Sequence, residues 1–329
     1  MTIYDIAEEA GVSITTVSRV INNKSYISKK TKDKVKAVLE KYNYTPNAIA
    51  RGLVSRSMKS IGVITVDITD LHHANAACII EREFGELGYI VILCNTGGKT
   101  TESINYIKML VERNVDGIIL MGSVFNDEDV KASILSYANN IPLVLSNCFL
   151  GLKNAYSVMV DDAYGITLCV DHLFEKGHSN IVYVKDSNTS SAENKKEGFI
   201  TGMNKHGLTI DDNSIITAEK GIKGGYEAVE KIISLNKKFS AIVFGEDITA
   251  VGGIKKLREL GKDIPGDVAV TGFNNSSFAE CCYPELTSID NKVETTSSLV
   301  VKLLSDLIEK RNVTSNILIR PDLVIRKST

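Results

Sequence analysis

Short runs of apolar residues, rich in isoleucine and valine, recur along most of this chain of 329 residues. Such runs are typical of strands that are buried on both faces of a parallel sheet. They predict strands at residues 61–66, 90–94, 117–121, 143–145, 181–184, 241–244 and 268–270. Between them, helical periodicity predicts helices that include residues 76–87, 104–111, 166–174, 228–235 and 251–260. This alternation predicts an α/β fold of doubly wound parallel sheets.

The strand–helix alternation continues for about 270 residues, which is long for a single open sheet. Ligands of such sheets bind outside the carboxyl ends of the strands. We therefore expect two lobes with a ligand-binding cleft between them.

The first sixty residues have a different pattern, with two short helical segments on either side of Gly11. Ala7 is small enough for a close helix crossing, and Gly11 can adopt the left-handed conformation of a tight turn. Val17 and Val20 fall on one side of the second segment. This is the arrangement of a helix-turn-helix. The other side of the second segment is polar and carries Thr15, Ser18, Arg19 and Asn22.

A polar helix face is also typical of simple solvation, so the stripe alone leaves DNA contact open. Charge favours the DNA interpretation. Residues 1–60 contain eleven lysines and arginines against five acidic residues, whereas the remainder contains 27 basic and 35 acidic residues. The net charge of −2 therefore conceals a basic N-terminal segment. Such an asymmetry indicates a module that binds phosphates.

Several further motifs are specific when they are taken together. Residues 44–53 read YTPNAIARGL, residues 59–64 KSIGVI, residues 115–119 VDGII, residues 172–178 HLFEKGH and residues 264–273 IPGDVAVTGF. With the N-terminal motif, they resemble the LacI/GalR family of bacterial transcription regulators over the whole chain. The resemblance implies a small all-α helix-turn-helix DNA-binding domain, followed by a hinge helix and a two-lobed body like that of periplasmic binding proteins.

The expected boundaries follow from this resemblance. The helix-turn-helix domain takes residues 1–46, the hinge helix and linker 47–60, and the effector-binding and dimerisation domain 61–329. The N-lobe is expected at about 61–160 and 291–319, and the C-lobe at about 161–290 and 320–329.

DNA contacts are expected from both N-terminal elements. Arg19 suits a bidentate contact to a guanine edge, and Ile14 can meet a thymine methyl group beside Thr15. The resemblance implies phosphate contacts for Tyr4, Thr16, Ser18 and Asn22. It also implies that Leu53 of the hinge helix, which includes Asn47 and Ala50, wedges into the minor groove.

The mechanism that this implies is repression of carbohydrate or carbon metabolism genes by a homodimer. The dimer would bind a near-palindromic operator in double-stranded DNA, and an effector in the cleft would control hinge-helix formation. The effector is expected to be a sugar or sugar phosphate. The alternative is global carbon control through a phosphorylated carrier protein (phosphocarrier protein). Whether the effector favours or opposes DNA binding stays open.

The expected effector site departs from the family pattern at two positions. Lys195 stands where an arginine is usual, and Asn274 stands where an aspartate is usual. The lysine ammonium is a point charge, unlike the planar arginine guanidinium that can bind through two N–H groups. Asparagine, unlike aspartate, is uncharged. The polar loop 186–191 also follows a predicted strand, and Asp162 and Asp247 fit helix capping as well as ligand contact. The other candidates are His72, His73, Ser146, Asp161 and Glu246.

Other function classes are disfavoured. No export signal or membrane-spanning run is found, so we expect a cytoplasmic protein without a membrane partner. This argues against an uptake-type solute-binding protein, although a cytoplasmic sugar-binding protein stays as a lesser alternative. Six scattered cysteines lack metal spacing, and neither a metal nor a cofactor is expected. No catalytic motif is found, so we expect no enzyme activity.

Overall fold

The structure is a computed structural model that describes residues 2–21, 26–44, 57–236, 238–313 and 316–329. Its chain divides into two compact units, Met1–Met58 and Lys59–Thr329, which we call the head and the body. Among the helices that the structure describes, none is both long and apolar enough to cross a membrane.

The described part of the head contains helices α1 (Ile3–Glu9), α2 (Ile14–Ile21) and α3 (Lys29–Lys41). Helix α1 begins with a capping box in which the side chains of Thr2 and Asp5 each accept the other residue's backbone N–H. The turn before α2 contains Gly11 with a φ of +59°, a conformation that glycine adopts without strain. The three helices enclose a small core of Ile6, Ala7, Ala10, Val17, Val20 and Val35.

The body contains two six-stranded sheets, each with helices on both faces, and we call the units built on them the N-lobe and the C-lobe. The N-lobe sheet has the order β11-β5-β4-β3-β1-β2 and is parallel throughout. Its strands are β1 (Ser60–Thr65), β2 (Ile90–Asn95), β3 (Gly117–Met121), β4 (Leu143–Ser146), β5 (Ala155–Val160) and β11 (Asn316–Ile319). Its helices are α4 (Leu71–Glu86), α5 (Thr100–Glu112), α6 (Glu128–Tyr137) and α12 (Val293–Ile308).

The C-lobe sheet has the order β12-β10-β9-β8-β6-β7, in which only the pairing of β12 with β10 is antiparallel among the described strands. Its strands are β6 (Ile181–Lys185), β7 (Ile215–Thr217), β8 (Ala241–Phe244), β9 (Ala269–Phe273), β10 (Thr287–Asp290) and β12 (Asp322–Val324). Its helices are α7 (Asp162–Glu175), α8 (Ser190–Lys205), α9 (Ile222–Ser234), α10 (Asp247–Glu259) and α11 (Ser277–Cys281).

The chain passes between the lobes three times, after β5, after β10 and after β11. Each lobe has apolar clusters on both faces of its sheet. The clusters are centred on β1, β3, β6 and β8, whose side chains are buried on both faces. The α/β fold with two lobes that the sequence predicts is confirmed. Because all strands but β12 run in the same sense within their sheet, their carboxyl ends bring polar loops together at the cleft between the lobes.

Candidate functional site

The first candidate surface is the outer face of α2 in the head. Ser13 precedes this helix, and its hydroxyl oxygen accepts the backbone N–H of Thr16 at 3.2 Å and forms a hydrogen bond with the hydroxyl of Thr15 at 2.8 Å. Val17 and Val20 fix the opposite face in the core. Ile14, Thr15 and Arg19 are exposed, so the helix presents a guanidinium, a hydroxyl and an apolar side chain to a partner.

The head carries further exposed aromatic rings and lysines. The Arg19 guanidinium lies 5.3 Å from the centre of the Tyr26 ring, and the rings of Tyr26 and Tyr4 are 65% and 66% exposed. Val35 is the only buried residue of helix α3, so the lysines of this helix are exposed or half-buried. Exposed cations and rings of this kind suit contacts to phosphates and sugars of DNA.

The predicted DNA-contacting residues differ in what the structure describes. Tyr4 lies on α1, and Ile14, Thr15, Thr16, Ser18 and Arg19 lie on α2. Asn22, Asn47, Ala50 and Leu53 lie outside the described residues. The DNA contacts of all ten residues stay predictions.

The second candidate site is the cleft of the body. Two adjoining cavities of about 360 and 260 Å³ lie there, and residues of both lobes line each of them. The cavities share five residues, which are Asp70, His72, Lys220, Glu246 and Asn274. Of the predicted effector residues, His72, Glu246 and Asn274 therefore line both cavities, whereas Lys195 and His73 line the smaller one.

Lys195 is the central cation of the cleft, although it is only 5% exposed. Its Nζ donates to the carbonyl of Gly245 at 2.8 Å and to Glu246 Oε1 at 3.3 Å, and it lies 3.9 Å from the centre of the Phe273 ring. Burial opposes the charged form, but Glu246 and neighbouring aspartates outweigh it and raise the pKa of Lys195. The buried ammonium is therefore charged and already has partners.

A chain of hydrogen bonds joins this charge pair to the N-lobe. Asn274 donates to Glu246 Oε2 through a short contact, and Asn291 Nδ2 donates to Asn274 Oδ1 at 2.7 Å. Asn291 Nδ2 also lies 3.1 Å from Nδ1 of His72, which must accept because the amide can only donate. Burial and the neighbouring His73 lower the pKa of His72 to about 4. His72 is therefore neutral, with its proton on Nε2.

A second lysine joins the two lobes directly. Lys220 follows β7 of the C-lobe, and its Nζ donates to Asp70 Oδ2 of the N-lobe at 2.6 Å. Burial opposes ionisation of Asp70, but the attraction of Lys220 lowers its pKa to about 2. Asp70 also caps α4 by accepting the N–H of His72 at 2.8 Å. The ion pair therefore joins the lobes at the position where α4 begins.

Three carboxylates of the C-lobe, the buried Asp186 and Asp247 and the half-buried Asp162, have pKa values above the usual range. Burial raises the pKa of Asp162, and burial together with Glu246 raises that of Asp186 to about 6. Burial also raises the pKa of Asp247 to about 6, although Ser276 and Ser288 donate to it. The smaller cavity is lined by Asp162 and Asp186, and the larger one by Asp247.

Two predicted effector residues depart from the expectation. Ser146 ends β4 with a side chain only 8% exposed, and the cavity is lined by the following residue, Asn147. Asp161 caps α7, where its Oδ1 accepts the N–H of Tyr164 at 3.0 Å. Neither residue lines the two cavities, because alternation along the strand and helix capping direct the two side chains elsewhere.

Three residues that line the cavities, Asp70, Lys220 and Asn291, are not among the predicted effector residues. Lys220 follows β7, a strand of three residues that is too short to stand out as an apolar run. Asn291 lies at the expected boundary between the C-lobe and the N-lobe, so its sequence position alone gives it no ligand role. The signal for Asp70 and Lys220 is their place in the loops that follow β1 and β7, since the carboxyl ends of parallel strands line the cleft.

Two family models and a solved structure match this chain. Residues 2–47 match the family model described as "Bacterial regulatory proteins, lacI family", and residues 170–329 match a "Periplasmic binding protein-like domain". The lac repressor dimer bound to operator and the anti-inducer ONPF superposes with a TM-score of 0.91 at 25% identity, covering 100% of this chain and 98% of that chain.

Two full-length relatives carry regulatory names. An HTH-type transcriptional regulator of Lachnoclostridium phytofermentans is 36% identical, covering 100% of this chain and 99% of the relative. Catabolite control protein A of Priestia megaterium is 31% identical, with coverage of 100% and 99%. With these matches over its full length, the chain belongs to the LacI family of bacterial regulatory proteins.

Proposed function

We propose that this protein is a dimeric transcriptional repressor that binds a near-palindromic operator in the bacterial cytoplasm and answers to a small polar molecule in its cleft. The observation that carries the proposal is the outer face of α2, where Thr15 and Arg19 are exposed while Val17 and Val20 hold the helix in the core. Membership of a family of bacterial DNA-binding regulators supports the cellular location.

Genes of carbohydrate or carbon metabolism are the targets that we propose. The support is the similarity to catabolite control protein A, which extends over the full length of both chains.

The charges of the cleft bear on the class of effector. The smaller cavity is lined by four carboxylates, those of Asp70, Asp162, Asp186 and Glu246, but by only two lysines. Both lysines already pair with these carboxylates. A phosphate ester would bring further negative charge into this surrounding, whereas hydroxyl groups can donate hydrogen bonds to the carboxylates. We therefore favour a polyhydroxylated effector without a phosphate group over a sugar phosphate.

Control by a phosphorylated carrier protein stays as the second candidate. Similarity to catabolite control protein A is the observation that favours it. In this case the effect on DNA binding would require the carrier protein rather than a cleft ligand.

The experiment is selection of binding sites from random duplex DNA with the full chain, followed by titration of the best site at several salt concentrations. We expect a two-fold symmetric site whose affinity falls steeply with salt, because each neutralised phosphate releases counterions. Arg19→Ala should weaken binding by about 1 to 3 kcal/mol and relax the preference at one base pair in each half-site. The absence of any symmetric site would refute the proposal.

Controls separate recognition from folding and from unspecific charge. Lys223→Ala removes an exposed lysine of the body and should leave operator affinity unchanged. Effector control is then tested by adding hexoses, hexose phosphates or phosphorylated carrier protein to the operator complex. An effector should change the operator affinity by about 5- to 150-fold. A change with hexose phosphates alone would contradict the effector class proposed above.

A further inference from the structure

Four carboxylates line the smaller cavity, and two of them have no salt-bridge partner among the described residues. Asp70 pairs with Lys220, and Glu246 pairs with Lys195. Among the residues that the structure describes, no cation forms a salt bridge with Asp162 or Asp186. Both line the smaller cavity, and both belong to the C-lobe. Negative charge therefore remains at one wall of the cavity.

The hydrogen bonds of these two carboxylates are also incomplete. Asp162 accepts from the Ser191 hydroxyl at 2.6 Å through Oδ2, and Asp186 accepts from the Thr249 hydroxyl at 2.6 Å through Oδ2. An ionised carboxylate can accept at both oxygens. Among the described residues, no hydrogen bond reaches Oδ1 of either group, so this oxygen is left for a further donor. Lys195 acts on both groups from nearby, yet burial and the other acids outweigh it, so both pKa values stay raised.

A third acceptor in the same cavity is independent of the acidic residues. Asn291 is 4% exposed and lines the cavity, and its Nδ2 donates to both Asn274 and His72. Its Oδ1 is buried and has no hydrogen-bond partner among the described residues. A buried amide oxygen without a hydrogen-bond donor is unfavourable. This oxygen can therefore accept a hydrogen bond from a ligand.

From these three acceptors we propose that the effector is an amino sugar, a monosaccharide-sized polyol with a protonated primary amine. Its ammonium group would lie between Asp162 and Asp186, and one of its hydroxyls would donate to Asn291. An ammonium group supplies three donors and no acceptor, which complements a wall of acceptors, and it neutralises charge that hydroxyl groups would leave. The proposal rests on the proposed function, since it names the chemical class of that effector.

The test is calorimetric titration of the full chain with matched pairs: glucosamine and glucose, galactosamine and galactose, mannosamine and mannose. In at least one pair, we expect the amino form to bind about tenfold or more tightly than the hydroxyl form, because charge-assisted hydrogen bonds are about twice as strong as neutral ones. The proposal is overturned if no amino form binds at millimolar concentration, or if the hydroxyl forms bind equally well.

Two conservative variants test whether the ammonium group of the ligand lies between Asp162 and Asp186. Asp186→Asn and Asp162→Asn keep an oxygen for Thr249 and Ser191, and each should reduce the preference for the amino form to about threefold or less. The control Asp212→Asn changes an exposed carboxylate on a loop of the same lobe and should keep the preference. An amine preference that survives both cleft variants would also overturn the assignment.

Operator binding, measured in parallel, separates this inference from the proposed function. If neutral hexoses bind as tightly as their amino forms and change operator affinity, the proposed function stands and the amino-sugar inference fails. If an amino sugar binds as expected but operator affinity does not change, the ligand assignment stands and effector control fails.

Discussion

The two lobes of the body share one strand order but differ in the polar groups that they bury. Around the N-lobe sheet, the fully buried polar residues among those described are hydroxyl side chains such as Thr65, Thr96 and Ser157, together with the Asn291 carboxamide. The C-lobe buries Asp186, Lys195 and Asp247. The same fold therefore carries neutral polar groups in one lobe and charges in the other.

This difference indicates that the two lobes have different roles at the cleft. Burying a charge is unfavourable for folding unless it is paired and hydrogen-bonded, so incompletely paired charges are expected at functional sites. In the proposed effector site, the charged wall belongs to the C-lobe. The N-lobe supplies Asp70, which caps α4 and pairs with Lys220 of the C-lobe, and Asn291, which donates to Asn274 of the C-lobe.

The largest effect is expected from removing the buried cation of the C-lobe. Lys195→Met leaves Glu246, Asp162 and Asp186 without their nearest positive charge, and we expect the free energy of unfolding to fall by about 3 to 5 kcal/mol. Urea denaturation at pH 7, followed by circular dichroism, measures this. Lys196→Met, on the exposed side of α8, is the matched control and should change it by less than about 0.5 kcal/mol. Equal effects of the two variants would contradict the comparison.

The next effect has the opposite sign. The pKa of Asp186 is raised to about 6 in the folded protein, above the ordinary value of 3.8, so its ionisation opposes folding. The stability contributed by the protonated form is full below pH 3.8 and is lost as the pH rises through 6. Asp186→Asn should therefore raise the free energy of unfolding at pH 7 by on the order of 2 to 3 kcal/mol.

Denaturation at pH 7, 6 and 5 tests the sign of this effect. The gain from Asp186→Asn should shrink as the pH falls, because the wild-type carboxyl then becomes protonated. Asp212→Asn, in the exposed loop, should show no such dependence. A destabilised Asp186→Asn protein at pH 7 would show that the charge is compensated in the free protein.

The N-lobe should behave differently because its buried polar groups are neutral. Thr65 Oγ1 is buried without a hydrogen-bond partner among the described residues. Thr65→Val should be neutral or stabilise the protein by up to about 1 kcal/mol. The Thr96 hydroxyl donates to the carbonyl of Thr65 at 3.0 Å, so Thr96→Val should destabilise by about 1 kcal/mol. The order of the two variants in thermal denaturation checks this prediction.

The smallest effect on stability is expected at the ion pair that joins the lobes. The Lys220 and Asp70 side chains are 43% and 17% exposed, so solvent screens the pair and Lys220→Ala should cost less than about 1 kcal/mol. Because the pKa of Asp70 is depressed to about 2, this contribution is present above pH 3.8 and is lost as the pH falls through 2. Lys223→Ala is the control in denaturation experiments, and a larger loss there would contradict the assignment.

The strands were predictable from the sequence where both faces of the sheet are buried. Strands β1, β3, β6 and β8 are central and fully or almost fully buried, so their apolar runs stand out. Strands β5, β7, β10, β11 and β12 were not predicted. They lie nearer the sheet edges or contain polar residues, so they lack a clear apolar run. Helices α4 and α7 begin several residues before their predicted segments, because their first turns are polar and capped by Asp70 and Asp161.

By itself the sequence determined the helix-turn-helix, the alternating strands and helices, and several residues of the cleft, since local periodicity and motifs record them. Only the tertiary structure decided which polar residues meet. It joined Lys220 to Asp70 across 150 positions of the chain and left Asp162 and Asp186 without salt bridges among the described residues. The physical reason is that charge pairing depends on distance in space, and two lobes formed by three chain crossings bring distant residues within a few ångströms.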